Sequence, residues 1–253
     1  MIPLRDDVQT RTVPFVNYAL IGANVLAFLL ELSLGDQLPQ FLAQASVVPV
    51  LYTGRDHSLG IVEALLDTLN PDLGFRLLFS MFLHGGFAHI LGNMLYLWIF
   101  GDNVEDRLGH FRYVLFYLAC GWFASYAHIW SSPASRLPSI GASGAIAGVL
   151  GAYITLHPQA RVVTLLPLGF FTQIVKIPAV FFLGIWFLQQ FLMGAMSLGV
   201  RTAETGGVAW WAHIGGFVAG AVLVRLLGVG RRPPPALRDG WWQDDRRPVR
   251  LSR

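Results

Sequence analysis

The chain has few charged residues, and this scarcity decides its class. Only 13% of its 253 residues are Asp, Glu, Lys or Arg, whereas 54% are hydrophobic and the mean hydropathy is +0.53. Soluble domains carry about 25% charged residues. The composition therefore excludes an ordinary soluble domain and indicates a protein that lies in a lipid bilayer. The net charge of +3 reflects uneven loops and does not indicate a nucleic-acid partner.

The chain is equally poor in cysteine, and no internal repeat is present. Its single cysteine, Cys120, lies inside an apolar segment and excludes a disulfide framework. The first apolar run follows a mixed-charge stretch, residues 5–11, and no clear cleavage site comes after it. A signal peptide is therefore the weaker interpretation, and we expect this run to be retained.

Six apolar segments are long enough to span, or nearly span, a hydrocarbon core of about 30 Å. The fourth is short for a full crossing, which implies that the loop before it dips below the outer surface. The expected fold class is all-α, a polytopic membrane protein. The segments are approximately residues 16–35, 80–101, 111–130, 143–157, 177–199 and 208–229.

Basic residues are unevenly distributed among the connecting segments. Fourteen of the 18 Lys and Arg residues lie at the two ends of the chain and in the 102–112 and 158–176 loops, and the alternate loops hold four. By the positive-inside rule, both termini are cytoplasmic. We expect an integral multi-pass protein of a bacterial inner (plasma) membrane.

The organisation predicted is a cytoplasmic N-terminal segment, a membrane domain and a flexible cytoplasmic tail rich in arginine and proline. These regions comprise residues 1–14, 15–230 and 231–253. The domain includes a long outer loop, about residues 36–73, in which residues 59–67 fit a short interfacial helix.

Two polar residues stand at the beginnings of separate apolar helices, where such groups indicate functional sites. Ser143 lies in the string GASG (141–144), and His213 lies in AHIGG (212–216). A neutral imidazole can take the serine proton and later return it to a leaving group. In isolation, a serine bonded to its own helix and a packed histidine would be the usual interpretations.

Small residues on both helices favour the functional interpretation. Each helix carries a stripe of Gly or Ala at spacings of three and four that begins at its polar residue. Such stripes let membrane helices pack backbone to backbone, which would bring Ser143 and His213 within hydrogen-bond reach. The glycines that support this close packing are Gly141, Gly144, Gly216 and Gly220.

No carboxylate accompanies this pair. The Asp and Glu residues lie outside the central parts of the apolar segments, apart from Glu31 near the end of the first. We therefore predict a Ser–His dyad, with the imidazole held by packing or by a neutral hydrogen bond.

His89 and Asn93 form a third polar cluster, at positions i and i+4 of another apolar helix. Their side chains can donate hydrogen bonds to an oxyanion in a site of low dielectric constant. A metal site made of His84, His89 and His213 is the rival interpretation. It lacks a carboxylate and a His-Glu-x-x-His arrangement, so no metal and no cofactor are expected.

Ser143, His213 and His89 are also predicted to lie at one depth. They precede the polar residues that mark the membrane boundary by 14, 12 and 13 residues, which is about 18–21 Å at about 1.5 Å per residue. A shared level nearer the outer face indicates a built site. The boundary residues are His157, Arg225 and Asp102.

Together, these strings resemble the rhomboid family of intramembrane serine proteases over roughly residues 15–229. The resemblance rests on GASG, on AHIGG with Gly220, and on His89-x-x-x-Asn93 followed by WIFGDNVED (98–106). Phe75-Arg76 is similar to an aromatic-arginine pair in the first loop of the family.

This resemblance implies a six-transmembrane-helix rhomboid bundle with a water-filled cavity open to the outside. Ser143 would be the nucleophile and His213 the general base. His89, Asn93 and the Ser143 backbone N–H would form the oxyanion hole, and His84 would be structural. The implied substrates are single-span membrane proteins, which reach the site past the fifth apolar segment (177–199) and the loop near 200–207.

One position departs from some family members, which carry a tyrosine four residues after the serine, where this chain has Ala147. The tyrosine packs on the base histidine, so Phe217, Trp210 or Trp211 is expected to replace it here.

Two other functional classes are weighed against the protease. A catalytically dead rhomboid-like binding module would be expected to lose Ser143 or His213, and both are present. A transporter with a histidine proton relay would place polar residues along a path across the membrane, whereas here they share one level.

Overall fold

The computed structural model describes residues 1–53, 70–169, 171–198 and 208–227, and this part of the chain is mostly helical. The predicted interfacial helix at 59–67, the loop at 200–207 and the tail from 231 lie outside the described residues. The α-helices are α1 (Phe15–Ser33), α2 (Leu38–Ala45), α3 (Val50–Thr53), α4 (Pro71–Ser80), α5 (Phe87–Leu108), α6 (His110–Ser131), α7 (Ser143–Leu156), α8 (Ala179–Ser197) and α9 (Trp210–Leu226), with a 3-10 turn at Gly35–Gln37.

Helices α1, α5, α6, α7, α8 and α9 correspond to the six apolar segments. Among the described helices, α1 and α8 are long and apolar enough to cross a membrane, whereas α7 and α9 are apolar but shorter. Helix α7 lies at the centre of the packing, since its residues from Gly144 to Tyr153 are all buried.

The second predicted segment, 80–101, has the wrong bounds. Helix α4 ends at Ser80, and α5 begins only at Phe87 and continues to Leu108. Gly86 lies between the two helices and has φ +150°, a backbone conformation that residues other than glycine rarely adopt. At its C-terminal end, α5 continues past Asp102. The acidic side chains that follow, Glu105 and Asp106, are buried in the protein and accept hydrogen bonds.

Those acidic residues hold the beginning of α1. The residue before α1 supplies no side-chain cap, which leaves N–H groups without acceptors. The buried Glu105 carboxylate accepts from the N–H groups of Val16 (3.0 Å) and Asn17 (2.7 Å), and Asp106 accepts from the Thr12 N–H (3.0 Å). The end of α5 thus replaces a local N-cap and fixes α1 against α5.

The expectation of an all-α fold is wrong in one region. Strands β1 (Ile2–Asp6), β2 (Arg161–Leu168) and β3 (Phe171–Pro178) form an antiparallel sheet in the order β1-β2-β3. Residues 158–176 are therefore not a plain loop, and β2 and β3 are rich in β-branched residues, which favour strands. A turn that includes Gly169 joins them, and the N-terminal segment adds β1 to the hairpin.

The connection between α1 and α5 has structure of its own in the part described. A small apolar cluster joins it to α6 and consists of Val47, Tyr52, Leu77 and Ile129. The backbone of Val47 also pairs with Ser139, which lies in the loop before α7. This connection therefore braces the loop that leads into Ser143.

Candidate active site

Ser143 begins α7, and the chain reaches it through a constrained turn. Gly141 has φ +128°, and its N–H donates to the carbonyl of Ser80 at 2.8 Å. A Cβ at Gly141 would lie 2.8 Å from His89 Nε2 and 3.6 Å from Ser143 Oγ. A glycine at this position therefore lets the His89 ring and the serine hydroxyl lie beside the same piece of backbone.

His213 lies one turn into α9, and its Nε2 atom is 2.8 Å from Ser143 Oγ. The two helices approach closely enough to permit this distance. A Cβ at Gly216 would lie 2.0 Å from the carbonyl oxygen of Gly144, and one at Gly220 would lie 1.9 Å from that of Gly148. Glycine is required at both positions because any side chain would collide with the α7 backbone.

His89 and Asn93 approach the pair from α5. The Nδ1 atom of His89 accepts from the Gly85 N–H at 3.3 Å, so the ring proton lies on Nε2, the nitrogen beside Gly141. The Asn93 side chain is 8% exposed, and among the described residues nothing accepts from its Nδ2 atom. Both residues line the same cavity as Ser143.

A cavity of about 500 Å³ connects these groups. Its walls include Ser143, His213, His89 and Asn93, together with apolar and aromatic side chains of α5, α7 and α8. A cavity of this volume is large enough to hold water beside its polar groups. The arrangement can supply a nucleophile, a base and oxyanion donors around one volume.

Comparison with known proteins identifies the family. The Rhomboid domain profile matches residues 72–229, which is more than half of the chain. The chain belongs to the rhomboid family. It is 34% identical over 217 residues to "Rhomboid protease GluP" of Bacillus subtilis (strain 168), 31% over 149 residues to "Rhomboid protein 1, mitochondrial" of Saccharomyces cerevisiae, and 30% over 238 residues to "RHOMBOID-like protein 4" of Arabidopsis thaliana.

The shared region is only part of each of these relatives. The matches cover 85%, 56% and 85% of this chain but 35%, 39% and 52% of the relatives. Rhomboid proteins are integral membrane proteins, which agrees with the composition of this chain.

The remaining rhomboid-like residues, Phe75, Arg76 and His84, do not line this cavity. Arg76 donates from Nη1 to the Ala43 carbonyl at 2.7 Å, and the exposed Phe75 stacks on Phe79. His84 is buried, and its backbone N–H donates to the Glu31 carboxylate at 3.0 Å. Glu31 is therefore engaged in fixing the turn before α5 and does not contact His213.

Two residues that contact His213 are absent from the sequence-based prediction. Gln190 on α8 places Oε1 2.7 Å from His213 Nδ1, and the Trp186 ring lies 5.9 Å from the imidazole. A search for Asp and Glu partners of the base overlooks a neutral glutamine. The spacing Trp-x-x-x-Gln puts Trp186 and Gln190 on one helix face, but Gln189 lies at a spacing of three, so the sequence does not single out Gln190.

Of the three aromatic residues expected to replace tyrosine near His213, one lies against its ring. Trp210 meets the imidazole edge to face at 6.4 Å. Phe217 packs on Trp186 instead, and Trp211 donates to the Gly194 carbonyl at 3.1 Å. Within the described residues, no group of three His, Cys, Asp or Glu side chains could hold a metal ion.

Proposed function

We propose that this rhomboid protein is an intramembrane serine endopeptidase that hydrolyses peptide bonds within or beside the transmembrane segments of other membrane proteins. The observation that carries the proposal is the 2.8 Å contact between Ser143 Oγ and His213 Nε2 at the wall of a cavity. A serine and an imidazole at this distance form an activated nucleophile.

The reaction follows from these atoms. His213 Nε2 takes the Ser143 proton as Oγ attacks the scissile carbonyl, and the resulting tetrahedral intermediate carries the negative charge on its oxygen. When this intermediate collapses, the C–N bond breaks and the imidazolium gives its proton to the leaving amine. Water then attacks the acyl-enzyme, His213 takes one of its protons, and the serine hydroxyl is restored as the acid leaves.

The oxyanion is stabilised by Asn93 Nδ2, by the Nε2–H of His89 and by the Ser143 backbone N–H. The Asn93 donor has no acceptor among the described residues, which supports this role, because burying an N–H group without an acceptor is unfavourable unless a ligand completes it. Such donors stabilise charge that develops in the transition state more than they stabilise the substrate carbonyl.

The protein lies in the membrane as a six-helix bundle, with α1, α5, α6, α7, α8 and α9 as the crossings and both termini in the cytoplasm. The 14 residues of α7 measure only about 21 Å, less than a hydrocarbon core of about 30 Å. Ser143 therefore lies below the outer surface. A single-span substrate reaches it past α8 and must unwind there to expose a peptide bond.

Reconstitution in liposomes with a single-span substrate tests this function. Wild-type protein should cut the substrate, whereas Ser143→Ala and His213→Ala should abolish cleavage and retain the folded state by circular dichroism. Normal cleavage by Ser143→Ala would exclude Ser143 as the nucleophile. Binding without cleavage by the wild type would instead favour a membrane-helix binding module.

A further inference from the structure

We infer that Gln190 is a positioning residue for the base: its amide oxygen fixes the tautomer of His213 in which Nε2 is free to take the Ser143 proton. The inference rests on the proposed protease function and adds a member to its site. Gln190 does not touch the reacting atoms and acts only through His213.

The contacts lie on opposite sides of one imidazole ring. Gln190 Oε1 is 2.7 Å from Nδ1, and Ser143 Oγ is 2.8 Å from Nε2. The Gln190 side chain is only 5% exposed, so water competes little for its oxygen. The serine, the imidazole and the amide therefore form a continuous hydrogen-bonded chain from α7 through α9 to α8.

The chemistry of the amide determines where the proton lies. A carbonyl oxygen can only accept, so His213 Nδ1 must carry the hydrogen, and a neutral ring then has its lone pair on Nε2. This is the form that accepts the serine proton. The opposite tautomer would donate from Nε2 to Oγ and would have its lone pair on Nδ1, where it cannot take the serine proton.

A neutral acceptor also differs from a carboxylate in the charged state. When His213 becomes an imidazolium, the dipole of the Gln190 carbonyl favours the new charge, but less strongly than a full negative charge would. The amide oxygen does not take the Nδ1 proton, so Nδ1 stays protonated throughout. The proton that Nε2 took from Ser143 is therefore the one that passes to the leaving amine. Orientation is thus obtained without burying a carboxylate beside the cavity.

Neighbouring contacts hold Gln190 in register with His213. Trp186, Gln190 and Gly194 are spaced by four and lie on the same face of α8. The Trp186 ring packs near the imidazole, and the Gly194 carbonyl accepts from Trp211 Nε1 at 3.1 Å. Helix α8 is therefore tied to α9 on both sides of the amide, which limits sliding that would break the bond.

The chain provides no equivalent support from α7. Position 147, one turn after the serine, is a fully buried alanine that cannot hydrogen-bond to the imidazole. Among the described residues, the other titratable side chains that interact electrostatically with His213 are His89 and His128. Neither is a hydrogen-bond partner of Nδ1, which bonds to Gln190.

The first test compares two substitutions on the same helix. Gln190→Met keeps the length of the side chain but removes the acceptor, whereas Gln189→Met alters the exposed neighbour. In reconstituted protein, Gln190→Met should lower kcat roughly tenfold with little change in KM, since one neutral hydrogen bond is lost. Gln189→Met should leave both constants unchanged. Wild-type kcat in Gln190→Met, or equal losses in the two variants, would overturn the role.

Gln190→Glu provides a second test that a purely structural role would not satisfy. The carboxylate retains an acceptor for Nδ1 and stabilises the imidazolium, so kcat should recover relative to Gln190→Met. The acid limb of the pH–rate profile should move to higher pH, because the base stays protonated over a wider range. No recovery and an unmoved limb would overturn the inference.

A spectroscopic test does not require cleavage. With 15N-labelled histidine, the His213 signals of the wild type should show a protonated Nδ1 and an unprotonated Nε2, and Gln190→Met should give a mixture of tautomers. The same tautomers in both proteins would overturn the inference. If the wild type showed the expected tautomer but cut no substrate, the proposed protease function would fail while the orienting contact remained.

Discussion

At the scale of single residues, the site consists of neutral groups brought together by close backbone packing. Ser143, Asn93, Gln190 and a neutral His213 carry no formal charge, which suits an integral membrane protein, in which a buried charge costs several kcal/mol. In the proposed reaction, charge develops only on the oxyanion of the intermediate and on the His213 imidazolium, which are close together. The donors and acceptors around them are already in place, so little reorganisation is needed.

Replacement of Asn93 tests the oxyanion donor directly. Asn93→Ala should lower kcat by about 10²- to 10³-fold because one donor to the tetrahedral oxygen is lost. KM should change little, since the donor contributes mainly in the transition state. Steady-state kinetics in liposomes measures both constants.

Asn93→Asp provides the comparison for this prediction. The side chain keeps its shape but presents an acceptor and a negative charge to the oxyanion, so its kcat should be lower than that of the alanine variant. Unchanged turnover in Asn93→Ala would contradict the proposed role.

At the scale of elements, the contact between α7 and α9 sets the position of the base. Gly216→Ala would place a methyl group 2.0 Å from the Gly144 carbonyl oxygen. It should lower the free energy of unfolding by about 1–3 kcal/mol and reduce cleavage, because the helices must separate. Denaturant unfolding followed by tryptophan fluorescence measures the stability.

Gly184→Ala on α8 is the matched control for this substitution. Nothing lies within 4 Å of a Cβ at that position, so stability should be unchanged or higher by up to about 1 kcal/mol. Equal stability of Gly216→Ala and Gly184→Ala would show that the glycine contact does not control the packing.

The sheet makes a separate, pH-dependent contribution to the stability of the folded state. Asp6 of β1 accepts hydrogen bonds from Asn103 Nδ2 and from the Tyr153 hydroxyl, which join the sheet to α5 and α7. Burial raises the pKa of Asp6 to about 7 from its ordinary value of 3.8, and the nearby Asp102 acts in the same direction, opposed by the Tyr153 hydrogen bond. The folded state therefore binds a proton that the unfolded state releases above about pH 4.

The expected result is a loss of stability as pH rises from about 4 to about 7, because the unfolded state then binds fewer protons than the folded one. Asp6→Asn should flatten this slope, since its amide does not titrate. Unfolding measured from pH 4 to 8 for both proteins checks the prediction. An identical pH dependence in wild type and variant would contradict it.

The apolar helices, apart from the bounds of the second, and the proximity of Ser143 to His213 can be predicted from the sequence because both depend on local periodicity. Small residues at spacings of three and four on two apolar helices are enough to place Ser143 near His213. Three features are not accessible in this way. The sheet lies in segments that resemble connections, Glu105 caps a helix almost ninety residues earlier in the chain, and Gln190 is one of two adjacent glutamines that only the fold distinguishes.

At the scale of the whole molecule, the topology can be tested with cysteine labelling. The natural Cys120 is fully buried and should give little background. Leu4 in β1 and Leu137 between α6 and α7 are similarly exposed, at 43% and 42%. In intact cells, a membrane-impermeant maleimide should label Leu137→Cys but not Leu4→Cys.

Opening the membrane should make both positions reactive, which controls for accessibility. Labelling of Leu4→Cys but not Leu137→Cys in intact cells would reverse the proposed orientation. Labelling of both would contradict the assignment of these positions to opposite sides of the membrane.

The most direct measurement of the central claim is covalent capture of the nucleophile. Purified wild-type protein is treated with a fluorophosphonate, and the modified residue is located by mass spectrometry of its peptides. We expect one adduct, on Ser143 Oγ, that is greatly reduced in His213→Ala because the base no longer activates the hydroxyl. An adduct on another residue, or undiminished labelling of Ser143→Ala, would contradict it.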